Sequence, residues 1–133
     1  MRTTATAFIL FSLCLLLTRA WAQGAATDVA LKPIADAYYN AQYDQVIQQC
    51  STLLQQKPTD QQRALALLWR GRAYTRKHVM DRAEKDLREA VSLSRQAFGE
   101  KSMEHASALT ALAGWHRWRG RYQGGGTPLP ASP

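Results

Sequence analysis

Apolar residues recur at intervals of three and four along most of this chain, in short runs separated by brief polar breaks, and no window after residue 22 alternates like a strand. That pattern, carried on Ala, Leu, Gln, Arg and Glu, predicts an all-α protein. Breaks at Asn40 to Gln42, at "QKPTD" around Pro58, at Lys77 to Val79, at "FGEKS" around Gly99 and after Gly120 divide it. Five helical segments result: Asp28 to Ala41, Tyr43 to Gln56, Asp60 to Arg76, Met80 to Ala97 and Met103 to Arg119. Thr59 with Gln62 reads as a capping box, Ser102 as the cap of the fifth segment, and Gly99 as a left-handed helix end. Asp81 before Lys85 and Glu84 before Arg88 form acid-before-base pairs one turn apart on a solvated face.

Within "LLWRGRAYTRKHVMDRAEKDLREA", Leu67 to Ala90, a glycine interrupts an apolar stripe. Gly71 in a helix interior costs about 1 kcal/mol relative to alanine, so something must come close there. The alanine-rich stripe that follows, with Ala83, Leu87 and Ala90, is the expected neighbour, with Ala83 facing Gly71.

The first 22 residues read as a secretory signal peptide instead of fold, with an uncleaved N-terminal anchor as the alternative. Arg2 supplies the charge, Ala7 to Leu17 an apolar run about half the length that spans a bilayer, and Ala20-Trp21-Ala22 a small-x-small cleavage site. Cys14 follows Leu13 inside the apolar run and makes no lipobox. The expected destination is export, to the periplasm or beyond. Cys50 is then the one cysteine of the mature chain, expected as a buried small hydrophobe.

Removing Arg2 and Arg19 lowers the formal charge from +7 to about +5. Gln23 to Asp60 holds two lysines against four aspartates, so about +7 falls on the remainder, where an anionic partner would bind. Gln23 onward is consistent with one small domain over residues 23–122. Residues 123–133, "QGGGTPLPASP", read as a disordered tail, because three glycines and three prolines do not sustain a helix.

The segments repeat. Val46, Cys50 and Leu53 share their spacing with Ala83, Leu87 and Ala90 at an offset of 37; Leu67, Gly71 and "HVM" recur as Leu109, Ala113 and "GRY" at an offset of 42. Leu67, Arg70, Gly71 and Tyr74, followed nine residues on by Ala83, Leu87 and Ala90, resemble the tetratricopeptide repeat pattern W-x2-L-G-x2-Y then A-x3-F-x2-A. Leu67 stands in the Trp place, Arg70 in the Leu place and Leu87 in the Phe place. "ALTALAGWHRWRGRY" looks like the start of the 42-residue variety found in kinesin light chains. The resemblance covers Ala35 to Tyr122 and implies a short α-solenoid of antiparallel helix pairs, about two and a half repeats, with the last helix uncovered on one face.

What the resemblance implies functionally is protein or peptide binding in a concave groove lined by the first helix of each unit. Transferred by register, Leu65, Leu68, Trp69, Arg72 and Arg76 of the second unit and Thr110, Arg117 and Trp118 of the third would face it. Arginines beside an apolar anchor suit a partner with acidic residues next to an aromatic or aliphatic one. No cofactor is implied. The lysine-and-asparagine carboxylate clamp of chaperone-binding members is not present in this sequence.

Catalysis is not expected. His78, His105 and His116 have no paired acid or cysteine at metal-site spacing, and there is no nucleophile elbow, P-loop or dinucleotide fingerprint. "WHRWRGRY" mixes arginines and aromatics as nucleic-acid binders do, but export argues against that role and leaves an anionic envelope surface as its counterpart. Three readings therefore stand: an exported adaptor, a truncated remnant of a longer repeat protein with little function of its own, and a basic helical module on an anionic surface. Membrane contact is limited to the signal peptide or weak anionic surface contact, and the uncovered last helix is the expected route to a homo-oligomer.

Overall fold

In the computed structural model, which describes residues 28–123, the helices begin and end where local chemistry allows. They are α1 (residues 28–39), α2 (Tyr43–Gln55), α3 (Asp60–Arg76), α4 (Met80–Phe98) and α5 (Met103–Gln123). The expected signal peptide and most of the expected tail lie outside the described residues. Thr59 and Gln62 form the capping box at the start of α3, with the Gln62 amide donating to Thr59 Oγ1 at 3.2 Å and the Thr59 amide to Gln62 Oε1 at 3.0 Å. Ser102 caps α5 by accepting from the His105 amide at 3.1 Å.

The C-terminal ends differ from expectation. Gly99 has φ +98 with an extended ψ of 159, so it is not the left-handed end foreseen. Left-handed backbone falls instead on Ala41, Lys57 and His78, at φ 58, 54 and 60. At Ala41 and His78 the same motif closes the helix: the Gln42 amide donates to Ala37 O and the Val79 amide to Tyr74 O, both at 2.9 Å. These two turns, Asn40 to Gln42 and Lys77 to Val79, are 37 residues apart and have equal length.

The turn foreseen at "GRY" is absent, because α5 runs on through Gly120 to Gln123. A single exposed glycine costs a helix only about 1 kcal/mol. Here the helix end is held by Arg119, which donates to Glu84 Oε2 at 3.0 Å and lies over the Trp115 ring at 5.1 Å.

Each helix packs on the next, and α3 also touches α5. Residues Arg63, Arg70 and Tyr74 of α3 meet Glu89, Asp86 and Arg82 of α4 in descending order, so these two helices run antiparallel. Two clusters form the core. One joins α1, α2 and α3 through Leu31, Ile34, Val46, Cys50 and Ala66; the other joins α3, α4 and α5 through Leu67, Leu68, Leu87, Ala108 and Trp115. α3 belongs to both, and so buries residues around most of its circumference.

The close approach at Gly71 is real, but its partner differs. A Cβ there would fall 2.7 Å from Leu87 Cγ and 3.3 Å from Asp86 Cβ, so the seam is filled by Leu87, one turn beyond Ala83. The register set by Arg70 opposite Asp86 brings Leu87 there.

Candidate partner-binding groove

On one side of α3 the chain forms an open groove of about 300 Å³ between the C-terminal ends of α1 and α3 and the middle of α5. Tyr38 comes from α1, Arg72, Thr75 and Arg76 from α3, and Thr110, Gly114 and Trp118 from α5. Gly114 of α5 faces this groove, and a Cβ added to it would meet nothing within 4 Å.

Aromatic rings build one wall. Tyr38 lies 5.3 Å from Trp69 and 5.5 Å from Tyr43, and exposed Tyr39 lies 6.1 Å from Trp69. The Arg72 guanidinium sits over Trp69 at 5.0 Å, which fixes a long side chain by ring contact without using its N–H donors. Arg76 Nε donates a long hydrogen bond, 3.4 Å, to the Tyr38 hydroxyl, and that contact shifts the guanidinium further up from its ordinary value. Thr75 and Thr110 donate their hydroxyls to the carbonyls of Gly71 and Ala106, both at 2.9 Å. The threonines can therefore only accept from a ligand, and the cationic donors of the groove are the two arginines.

Of the eight residues assigned by register, Arg72, Arg76, Thr110 and Trp118 line this groove together. Trp69 stands beside it as part of the aromatic wall. Leu68 is 3% exposed in the core cluster under α5, and Leu65 is half-buried against both clusters, so neither faces the groove. α3 is covered on both sides, and helix positions that would be open in a two-layer packing are closed by α5. Arg117 is exposed on α5 and does not line the groove. Tyr38 and Gly114 were not singled out in the sequence. The Tyr38-Tyr39 pair ahead of a turn was the available signal for the first, and nothing local pointed to the second.

Other polar side chains tie the helices together. Arg70 forks onto Asp86, with Nε to Oδ2 at 2.7 Å and Nη2 to Oδ1 at 2.9 Å, while Nη1 reaches Ser51 Oγ at 3.2 Å. This explains an arginine in an apolar stripe, although Asp86 itself gave no sequence signal. Burial pushes the Cys50 thiol up to about 12, leaving it neutral. Ser94 and His105 meet at 3.2 Å inside the core, 2% and 6% exposed, away from the groove. Among the described residues no group of His, Cys, Asp or Glu could hold a metal ion, and no helix is long and apolar enough to cross a membrane.

No protein-family model matches the chain, and no curated protein or solved structure is significantly similar to it.

Proposed function

We propose that this protein is an exported, tetratricopeptide-like helical adaptor that binds a protein or peptide partner, without catalysis, in the groove between α1, α3 and α5. The observation that carries the reading is the convergence of Arg72, Arg76, Thr110 and Trp118, chosen by repeat register, on one open groove. Support for repetition comes from the two helix-closing turns of equal length and identical hydrogen bonding 37 residues apart. Export rests on residues 1–22 of the sequence. Two guanidiniums between aromatic walls favour a partner segment with a carboxylate next to an aromatic or aliphatic side chain, since each gains a charge-assisted bond or a ring contact.

The test is binding of fluorescent peptides that place aspartate or glutamate beside tryptophan or leucine. Arg72→Glu with Arg76→Glu should abolish binding while far-UV circular dichroism is unchanged. Gly114→Leu should block it sterically, because the Cβ of the new side chain starts in open space beside the groove residues. Retention of binding in both variants would remove the groove from the mechanism.

A further inference from the structure

A second, larger cleft of about 770 Å³ opens on the other side of α3, between α2, α3 and α4. We propose that it binds a multiply charged phosphate-type oxyanion, for which inorganic pyrophosphate serves as the probe. On α3 the cleft is lined by Arg63, Leu67, Arg70 and Tyr74, which share one helix face, whereas Arg72 and Arg76 lie on the opposite one. The two sites are therefore independent.

What recommends an anion is the state of the cleft's polar groups. Asp86, whose side chain is 6% exposed, is saturated by the Arg70 fork, and Glu89 Oε1 accepts from Arg63 Nη2 at 2.6 Å. Two of the three carboxylates are thus already neutralised. Lys57, Arg82 and Lys85 line the same cleft and make no ion pair among the described residues; Arg82 lies 5.9 Å from the Tyr74 ring centroid. The foreseen Asp81–Lys85 pair does not form, which leaves the Lys85 ammonium to the cleft. Ser51 accepts from Arg70, so its own hydroxyl proton is left to donate, and the Tyr74 hydroxyl forms no hydrogen bond among the described residues. Apart from Asp60, the second oxygen of Glu89 and the amide of Gln55, the charged groups left for a ligand are the cations Lys57, Arg82 and Lys85. A tetrahedral oxyanion supplies the acceptors and the charge that this set lacks, and field lines focus in a cleft more than on a flat face.

The full chain should bind inorganic pyrophosphate saturably in titration calorimetry. Lys57→Gln, Arg82→Gln and Lys85→Gln combined should weaken it by about tenfold or more, with helicity retained because all three residues are exposed. Lys32→Gln, Lys101→Gln and Arg117→Gln combined remove the same charge elsewhere and should leave affinity within about twofold. Pelleting with phosphatidic acid vesicles, reversed by pyrophosphate, would assign the oxyanion to a lipid headgroup; pyrophosphate binding without pelleting would assign a soluble anion. Absence of saturable pyrophosphate binding, or equal weakening by the two triple variants, would overturn the site.

Discussion

Gly71 of α3 and Leu87 of α4 are packed so closely that a Cβ on the glycine would lie 2.7 Å from Leu87 Cγ. Leu87 is fully buried and cannot swing away. Gly71→Ala gains up to about 1 kcal/mol of helix propensity and loses about 1 to 3 kcal/mol to overpacking, so net destabilisation is expected. With Leu87→Ala already in place the two nearest contacts are gone and only Asp86 Cβ at 3.3 Å remains, so the same change should become less costly or stabilising by up to about 1 kcal/mol. Urea unfolding of the four proteins in the cycle reads the difference. An equally destabilising Gly71→Ala in both backgrounds would show that the seam is not what limits this position.

Arg70 and Asp86 form the buried ion pair that ties α3 to α4. Arg70→Met strands a nearly buried carboxylate and should cost about 3 to 5 kcal/mol. Arg70→Met with Asp86→Leu should recover most of that loss, because apolar replacements remove the desolvation cost together with the attraction. Chemical denaturation of both variants decides this; a double variant no more stable than the single would show that the pair contributes more than mutual neutralisation.

Ala41 is held in left-handed backbone, exposed, at the end of α1. Ala41→Gly relieves the Cβ strain and should stabilise the protein by about 1 kcal/mol, less whatever flexibility the glycine adds to the unfolded chain. In a domain of this size that corresponds to a rise in Tm of about 4–8 °C. Calorimetry is the measurement, and no rise would mean the turn relaxes once unfolded-state entropy is counted.

Cys50 links stability to alkaline pH. Its folded-state pKa is pushed from 9.0 to about 12 by burial, so the unfolded thiol loses its proton first. Stability from this group is complete below about pH 9 and declines as pH rises toward 12, by up to about 1.4 kcal/mol per pH unit. Cys50→Ala should be less stable at neutral pH, yet show a shallower decline above pH 9 than the parent. Alkylation by iodoacetamide at pH 8 should track global unfolding; rapid modification of the folded protein would contradict the burial.

Five helices, their caps at Thr59 and Ser102 and the buried state of Cys50 were legible from the residues, because spacing and capping act within a turn or two of chain. The register taken over from the tetratricopeptide resemblance selects Arg72, Arg76, Thr110 and Trp118, which line one groove. Failures had tertiary causes. Leu68 looked open until α5 covered it, the Gly71 seam was assigned to Ala83 when the Arg70–Asp86 register selects Leu87, and α5 passed Gly120 because Glu84 and Trp115 hold Arg119.

Local hydrophobic period and end chemistry, properties of neighbours along the chain, determined that this protein is helical and roughly where each helix lies. Which residues face one another, which cations find carboxylates and which stay unpaired in the cleft beside Tyr74 were decided only by the packing of α3 between its neighbours. Those outcomes depend on contacts between residues sixteen to thirty-eight positions apart, and no short-range pattern encodes such distances.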